Sequence, residues 1–205
     1  MQKRTFLRSL SGLAAVAVAG AVNLHPARSF AAEASAAATA SPAKRRIAFV
    51  YFSKTGHTAS VAAAARAMTG CDVFEVKTVK PYPAEYGPTT EVVKEELEKG
   101  VEREIIAPKL SLADYDVVCL GTPTWWHHVA MPLQTWIKSQ DFKGKLVLTC
   151  NTHGGGGLMH TREDFEKLLG NSGATLGTHL TVFGDVAEDD ADVRQWLAEN
   201  GLIGK

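Results

Sequence analysis

From residue 46 onward the chain alternates apolar runs with helical stretches five times over, and no other feature limits its fold so strongly. The strand candidates are Ile47 to Phe52, Val73 to Lys77, Val117 to Gly121, Leu146 to Cys150 and Leu176 to Val182. The helix candidates are Thr58 to Thr69, Thr90 to Lys99, Pro132 to Lys138, Thr161 to Leu169 and Asp189 to Glu199. Three of them are closed by Gly70, Gly100 and Gly170, where a residue free to turn left-handed ends a helix well. Pro132 stands at a first helical position, Thr161 stands three residues before Asp164, and Glu188-Asp189-Asp190 puts negative charge at a helix start. Apolar pairs such as Val93 with Leu97, and Val193 with Trp196 and Leu197, follow helical spacing. Strictly alternating strands and helices imply a doubly wound α/β fold of three layers, a five-stranded parallel sheet covered on both faces through right-handed crossovers.

In such sheets ligands bind beyond the carboxyl ends of the strands. The loops after the first, third and fourth strands are therefore the expected functional ones. The first is Ser53-Lys54-Thr55-Gly56-His57-Thr58, a hydroxyl-rich turn directly before an Ala-rich helix. Unpaired N–H groups and the positive end of the helix dipole converge there, which suits a phosphate. It is neither a nucleotide-triphosphate loop, since His57 follows Gly56 where Lys is required, nor a G-x-G-x-x-G dinucleotide fingerprint. The second loop, Gly121-Thr122-Pro123-Thr124-Trp125-Trp126-His127-His128, carries adjacent tryptophans that are costly to expose unless a flat partner covers at least one. The alternative is that one indole anchors the loop in the core. The third, Asn151-Thr152-His153 followed by Gly154 to Gly157, removes every side chain over four positions, so that backbone N–H groups can approach a ligand closely.

Other features set bounds. Lys3, Arg4 and Arg8 precede a mildly apolar stretch from Leu13 to Leu24 and small-residue cleavage sites near Ala31 and Ala34. Residues 1–33 therefore read as an export signal, with the general secretory route as the alternative to the twin-arginine route that Lys3-Arg4-Thr5-Phe6-Leu7-Arg8 resembles. Residues 34–44 read as a flexible linker, leaving 45–205 as one domain of ordinary size, exported to the periplasm and without a membrane span. The whole chain holds 22 basic and 22 acidic residues; without the four basic residues up to Ala31 it is acidic by about four charges, which argues against a nucleic-acid partner. Cys71, Cys119 and Cys150 are odd in number and unclustered, so neither a full disulfide set nor zinc is expected; Cys119 and Cys150 read as buried apolar residues. Neighbouring His127 and His128 in one loop are not expected to share a metal.

Taken together and in this order, Ser53-x-Thr55-Gly56-x-Thr58, Gly121-Thr122-Pro123-Thr124-Trp125-Trp126 and Gly154 to Gly157 resemble the flavodoxin-like family over Arg46 to Asn200. The resemblance implies strand order 2-1-3-4-5 in the short-chain form and noncovalent FMN. Its phosphate would be held by Ser53, Lys54, Thr55, Gly56, His57 and Thr58. The ring would lie against Pro123, Thr124, Trp125 and Trp126, with Thr152, His153, Gly154 and Gly155 along its polar edge. His57 replaces an Asn common in the family, and His127 stands where Gly usually follows the tryptophan pair. With no Tyr or Trp in the third loop, one flavin face is expected to be more open than in carriers that sandwich the ring. The implied activity is electron transfer through the flavin to a redox partner protein or small-molecule acceptor. The alternatives are an NAD(P)H-dependent quinone reductase and a flavin-free binding module.

Overall fold

The computed structural model describes residues 45–204, so the expected signal and linker lie outside the described residues. Its elements are strands β1 (Ile47–Tyr51), β2 (Asp72–Glu75), β3 (Lys77–Thr78), β4 (Ile105–Ile106), β5 (Val117–Trp125), β6 (His128–Val129), β7 (Leu146–His153) and β8 (Thr175–Phe183). The helices are α1 (His57–Thr69), α2 (Tyr86–Lys99), α3 (Met131–Lys138), α4 (Thr161–Leu169) and α5 (Ala191–Glu199). The main sheet runs β2-β1-β5-β7-β8, with every neighbouring pair parallel. Counted over the five long strands, this is the expected order 2-1-3-4-5.

Period-two alternation divides the core between the two faces of the sheet. Val50, Val118, Leu120 and Val147 point toward Val93 of α2, Leu133 and Trp136 of α3, and Phe165 and Leu169 of α4. Phe49, Val117, Cys119, Leu148 and Cys150 point the other way, toward Val61 and Ala65 of α1 and Val193, Trp196 and Leu197 of α5. All three cysteines are buried and free. No helix among the described residues is long and apolar enough to cross a membrane.

Where the elements depart from the sequence reading, local chemistry accounts for it. α2 begins at Tyr86, a full turn before Thr90, because Pro88 falls in the first turn, where its missing N–H has no partner to lose. Lys77 leaves β2 and pairs with Ile106 in a separate two-stranded ribbon, β3-β4, too short to show as a periodic run. Thr161 and Asp164 do not form a capping box: His160 occupies the cap position of α4, and no side chain caps the helix. Asp164 is spent instead on His128 and on the N–H of Val129. Asp190, by contrast, caps α5 by accepting from the N–H groups of Asp192 and Val193.

Candidate functional site

At the carboxyl end of the sheet lies a cleft of about 960 Å³, bordered by residues of all three expected loops. A smaller cleft of about 210 Å³ between Arg46 and Cys71 sits at the opposite, amino end of the strands.

The first wall is the β1–α1 turn. Gly56 adopts φ 96°, a left-handed conformation that an L side chain resists, and no side chain caps α1. The N–H groups of the first helical turn are therefore left facing the cleft without intrahelical partners. The Oγ of Ser53 accepts from the N–H of Gly56 at 3.1 Å and holds the turn closed. Lys54 donates its ammonium to the Ala84 carbonyl at 3.0 Å, keeping a positive charge at the rim. Thr55 is exposed, His57 half-buried, and both border the cleft. Thr58 is nearly inaccessible and shares a 2.9 Å hydrogen bond with the Oγ1 of Thr152, so it joins α1 to β7 as well as lining the cleft. The helix comes this close because position 121 is glycine: a Cβ there would lie 2.9 Å from both the Phe49 ring and the Thr58 methyl.

The second expected loop is a β-hairpin. β5 continues through Thr122, Pro123 and Thr124 to Trp125 and pairs back with β6, Thr124 opposite Val129 and Trp125 opposite His128. That leaves Trp126 and His127 as a two-residue turn with φ of 45° and 73°. A tight hairpin of this kind demands positive φ at both positions and favours Asn-Gly. Neither residue here is glycine, so the turn is held from outside. Trp126 donates its indole N–H to the Thr90 carbonyl on α2 at 2.8 Å. The His127 carbonyl accepts from the N–H of His160 at 2.9 Å. The Thr122 hydroxyl accepts from the Ala130 N–H, and Asp164 accepts from Val129.

The two tryptophans have different surroundings. Trp125 packs edge-to-face against Phe52 and Tyr82, at ring centroid distances of 5.3 and 4.8 Å. Tyr82 in turn donates to Glu96, which also pairs with Arg103, and the Arg103 guanidinium lies 4.1 Å from the Tyr82 ring centroid. Burial and the adjacent carboxylate push the Tyr82 hydroxyl pKa well up, so it stays a donor. Trp126 is 45% exposed at the rim. Both indoles border the cleft. The structure thus fixes one as the anchor foreseen among the sequence alternatives and leaves the other open.

The third expected loop is half strand: β7 runs on through Asn151, Thr152 and His153 before the glycines. Gly155 and Gly157 have φ of 142° and 75°, which other residues rarely adopt, and the Gly155 N–H is taken by Nδ1 of His153 at 3.1 Å. A fourth wall was invisible in the sequence. The first half of α2 supplies Tyr86, Thr89, Thr90, Glu91 and Val93 to the cleft, from a segment that carries no motif. Among the described residues no cluster of three metal-ligating side chains occurs.

A Flavodoxin family model matches residues 46–200, which span β1 through α5. The chain belongs to the flavodoxin family. No curated protein matches it in sequence. Among solved structures, this flavodoxin-family protein is similar to a flavoprotein from Lactobacillus acidophilus NCFM, solved in complex with FMN, at 18% identity and TM-score 0.62 over 74% of this chain and 98% of that one. A protein described as a flavoprotein from Bacteroides uniformis ATCC 8492 aligns at 24% identity and TM-score 0.63 over 75% and 97% of the two chains. Another so described, from Bacteroides eggerthii DSM 20697, gives 24% and 0.62 over 75% and 96%. At these identities the likeness establishes the doubly wound fold.

Proposed function

We propose that the cleft binds FMN and that the protein transfers electrons through it. The observation that carries this reading is the polarity of the cleft: an uncapped helix N-terminus with Lys54 and His57 at one end, tryptophans and glycine backbone at the other. A phosphorylated ligand with a flat aromatic ring has that same division. The donor set fits the group. First-turn N–H groups of α1, the hydroxyls of Ser53, Thr55 and Thr58, the Lys54 ammonium and the His57 ring would hold the phosphate, with Gly56 giving room for it. Trp126 would cover the ring and Trp125, braced by Phe52 and Tyr82, would set its plane. Pro123 and Thr124 would line it, and Thr152, His153, Gly154 and Gly155 would border its polar edge. Family membership, and the FMN complex of the similar Lactobacillus protein, support the choice of ligand.

FMN supplies one- or two-electron redox chemistry when bound. The chain's part is to bind one redox state more tightly than another, each tenfold preference shifting a one-electron potential by about 59 mV. The partner is a redox protein or a small-molecule acceptor. The second reading, reduction of quinones with NAD(P)H, draws support from the apolar rim: Tyr86 is 85% exposed and Trp126 45%, so a small flat acceptor could reach the site. We further propose export to the periplasm, which fractionation of the native host cell would test. For the main reading, the experiment is a titration of the purified protein with FMN followed by flavin fluorescence. Quenching with one-to-one stoichiometry is expected; free-flavin fluorescence at every protein concentration would refute it.

A further inference from the structure

Beneath the cleft, β7 and β8 carry a chain of buried and half-buried polar side chains on the face covered by α4. Asn151 is fully buried and uses both ends of its amide. Its nitrogen donates to the Gly157 carbonyl at 3.1 Å and to the Thr124 Oγ1 at 2.7 Å. Its oxygen accepts from the Thr181 hydroxyl at 2.9 Å and faces Nε2 of His179 at 2.7 Å. Nδ1 of His179 lies 2.7 Å from the Thr149 hydroxyl.

One member of this network has no choice of role. A backbone carbonyl only accepts, so the atom of Asn151 facing Gly157 must be the amide nitrogen. That fixes the amide oxygen toward His179, and Nε2 of His179 must then carry the proton. Nδ1 is left as the acceptor for Thr149. At the other end, the Thr124 oxygen receives a hydrogen bond from Asn151, so the Thr124 hydroxyl proton is not needed there. It has no other partner among the described residues, and Thr124 lines the cleft. The polarity therefore runs one way, from Thr149 through His179 and Asn151 to Thr124.

We infer that Asn151, oriented by Gly157 and His179, is a positioning residue that presents the Thr124 hydroxyl to the cleft as a hydrogen-bond donor, selecting a ligand with a carbonyl oxygen or unprotonated ring nitrogen at that point. The inference rests on the FMN reading, since the acceptor edge of the flavin ring is such a group. It also ties the tryptophan hairpin to the glycine loop, because Asn151 grips Thr124 on one and Gly157 on the other. The His179 imidazole is pushed down to about pKa 4 by burial first and then by Arg162, against the opposing pull of Glu166, so the neutral ring that the chain needs is held through the neutral pH range.

The test combines two readouts. Nitrogen-15 NMR of the ligand-free protein at pH 7 should show His179 protonated at Nε2 and bare at Nδ1; the opposite tautomer overturns the inference whatever FMN does. FMN titrations should then show Thr124→Val binding roughly three- to tenfold more weakly than the wild type, with Thr124→Ser close to the wild type. Asn151→Asp in its ionised form presents only acceptors, turns the Thr124 hydroxyl inward and should reproduce the Thr124→Val loss at a pH where the carboxyl is ionised. Adding Thr124→Val to it should cost little more, whereas fully additive losses would make Asn151 a structural residue only. If the wild type binds FMN and Thr124→Val binds it equally well, the inference fails and the proposed function stands. If the wild type binds no FMN, the proposed function fails and the inference falls with it.

Discussion

The two ends of the cleft are built in opposite ways. The α1 end comes from six consecutive residues, Ser53 to Thr58, whose turn is shaped by a left-handed glycine and one serine hydrogen bond. The ring end is assembled from the β5–β6 hairpin, the β7 terminus and α2, which are separate in sequence and meet through tertiary contacts such as Trp126 to Thr90 and the pairing of Pro123 with Thr152. Local chemistry dictates the first; tertiary docking dictates the second. The ring end should accordingly depend on residues far from the cleft, and the α1 end on its own backbone and on the close packing that Gly121 of β5 allows beneath it.

The largest expected effect breaks the ring end from behind. Glu96→Ala leaves the largely covered Arg103 without its carboxylate and Tyr82 without its acceptor, so Trp125 loses its brace. Loss of about 3–5 kcal/mol in chemical denaturation is expected. A surviving fold should bind FMN less tightly while its affinity for inorganic phosphate changes little. Equal weakening of both ligands would mean that the two ends are not separable.

Next comes pH. His179 remains neutral in the folded protein down to about pH 4, whereas an unfolded histidine takes up a proton near 6.5. The unfolded state therefore binds more protons between those values, and stability should rise with pH across that window, by about 2–3 kcal/mol at most. Denaturation midpoints at pH 4.5 and 7 measure this, and His179→Gln should flatten the difference. A pH dependence unchanged in that variant would assign the effect elsewhere.

The α1 end is broken by Gly121→Ala. The new methyl would meet the Phe49 ring and the Thr58 methyl, and the helix start must move to admit it. A cost of about 1–3 kcal/mol is expected, together with weaker phosphate binding. The smallest effect sharpens the comparison in the opposite direction: His127→Gly removes a left-handed strain from the hairpin and should stabilise the fold by about 1 kcal/mol. Thermal denaturation would detect it, and destabilisation would show that the imidazole contributes more than its backbone costs.

The same contrast explains what could be read in the sequence. The strand–helix alternation and the extent of α4 from Thr161 to Leu169 follow from apolar periodicity, whereas the sheet order is what the family resemblance implies. The Ser53 to Thr58 turn is legible because its chemistry is contiguous. The hairpin is not, because Trp126-His127 lacks the Asn-Gly signal and owes its shape to Thr90, His160 and Asp164. The α2 wall is not, because Tyr86 and Thr90 become site residues only once the helix docks. Asp164 illustrates the limit well: its spacing from Thr161 suits a capping box, yet its carboxylate is worth more to the hairpin's free N–H and to His128.

The most direct test of the divided cleft compares FMN with riboflavin, which shares the ring and lacks the phosphate, by calorimetric titration of the same protein. The account predicts that FMN binds at least about tenfold more tightly, since charge-assisted hydrogen bonds at the α1 end are worth about 1.5–3 kcal/mol each. Equal affinity for the two would contradict it, because the α1 end would then hold no phosphate.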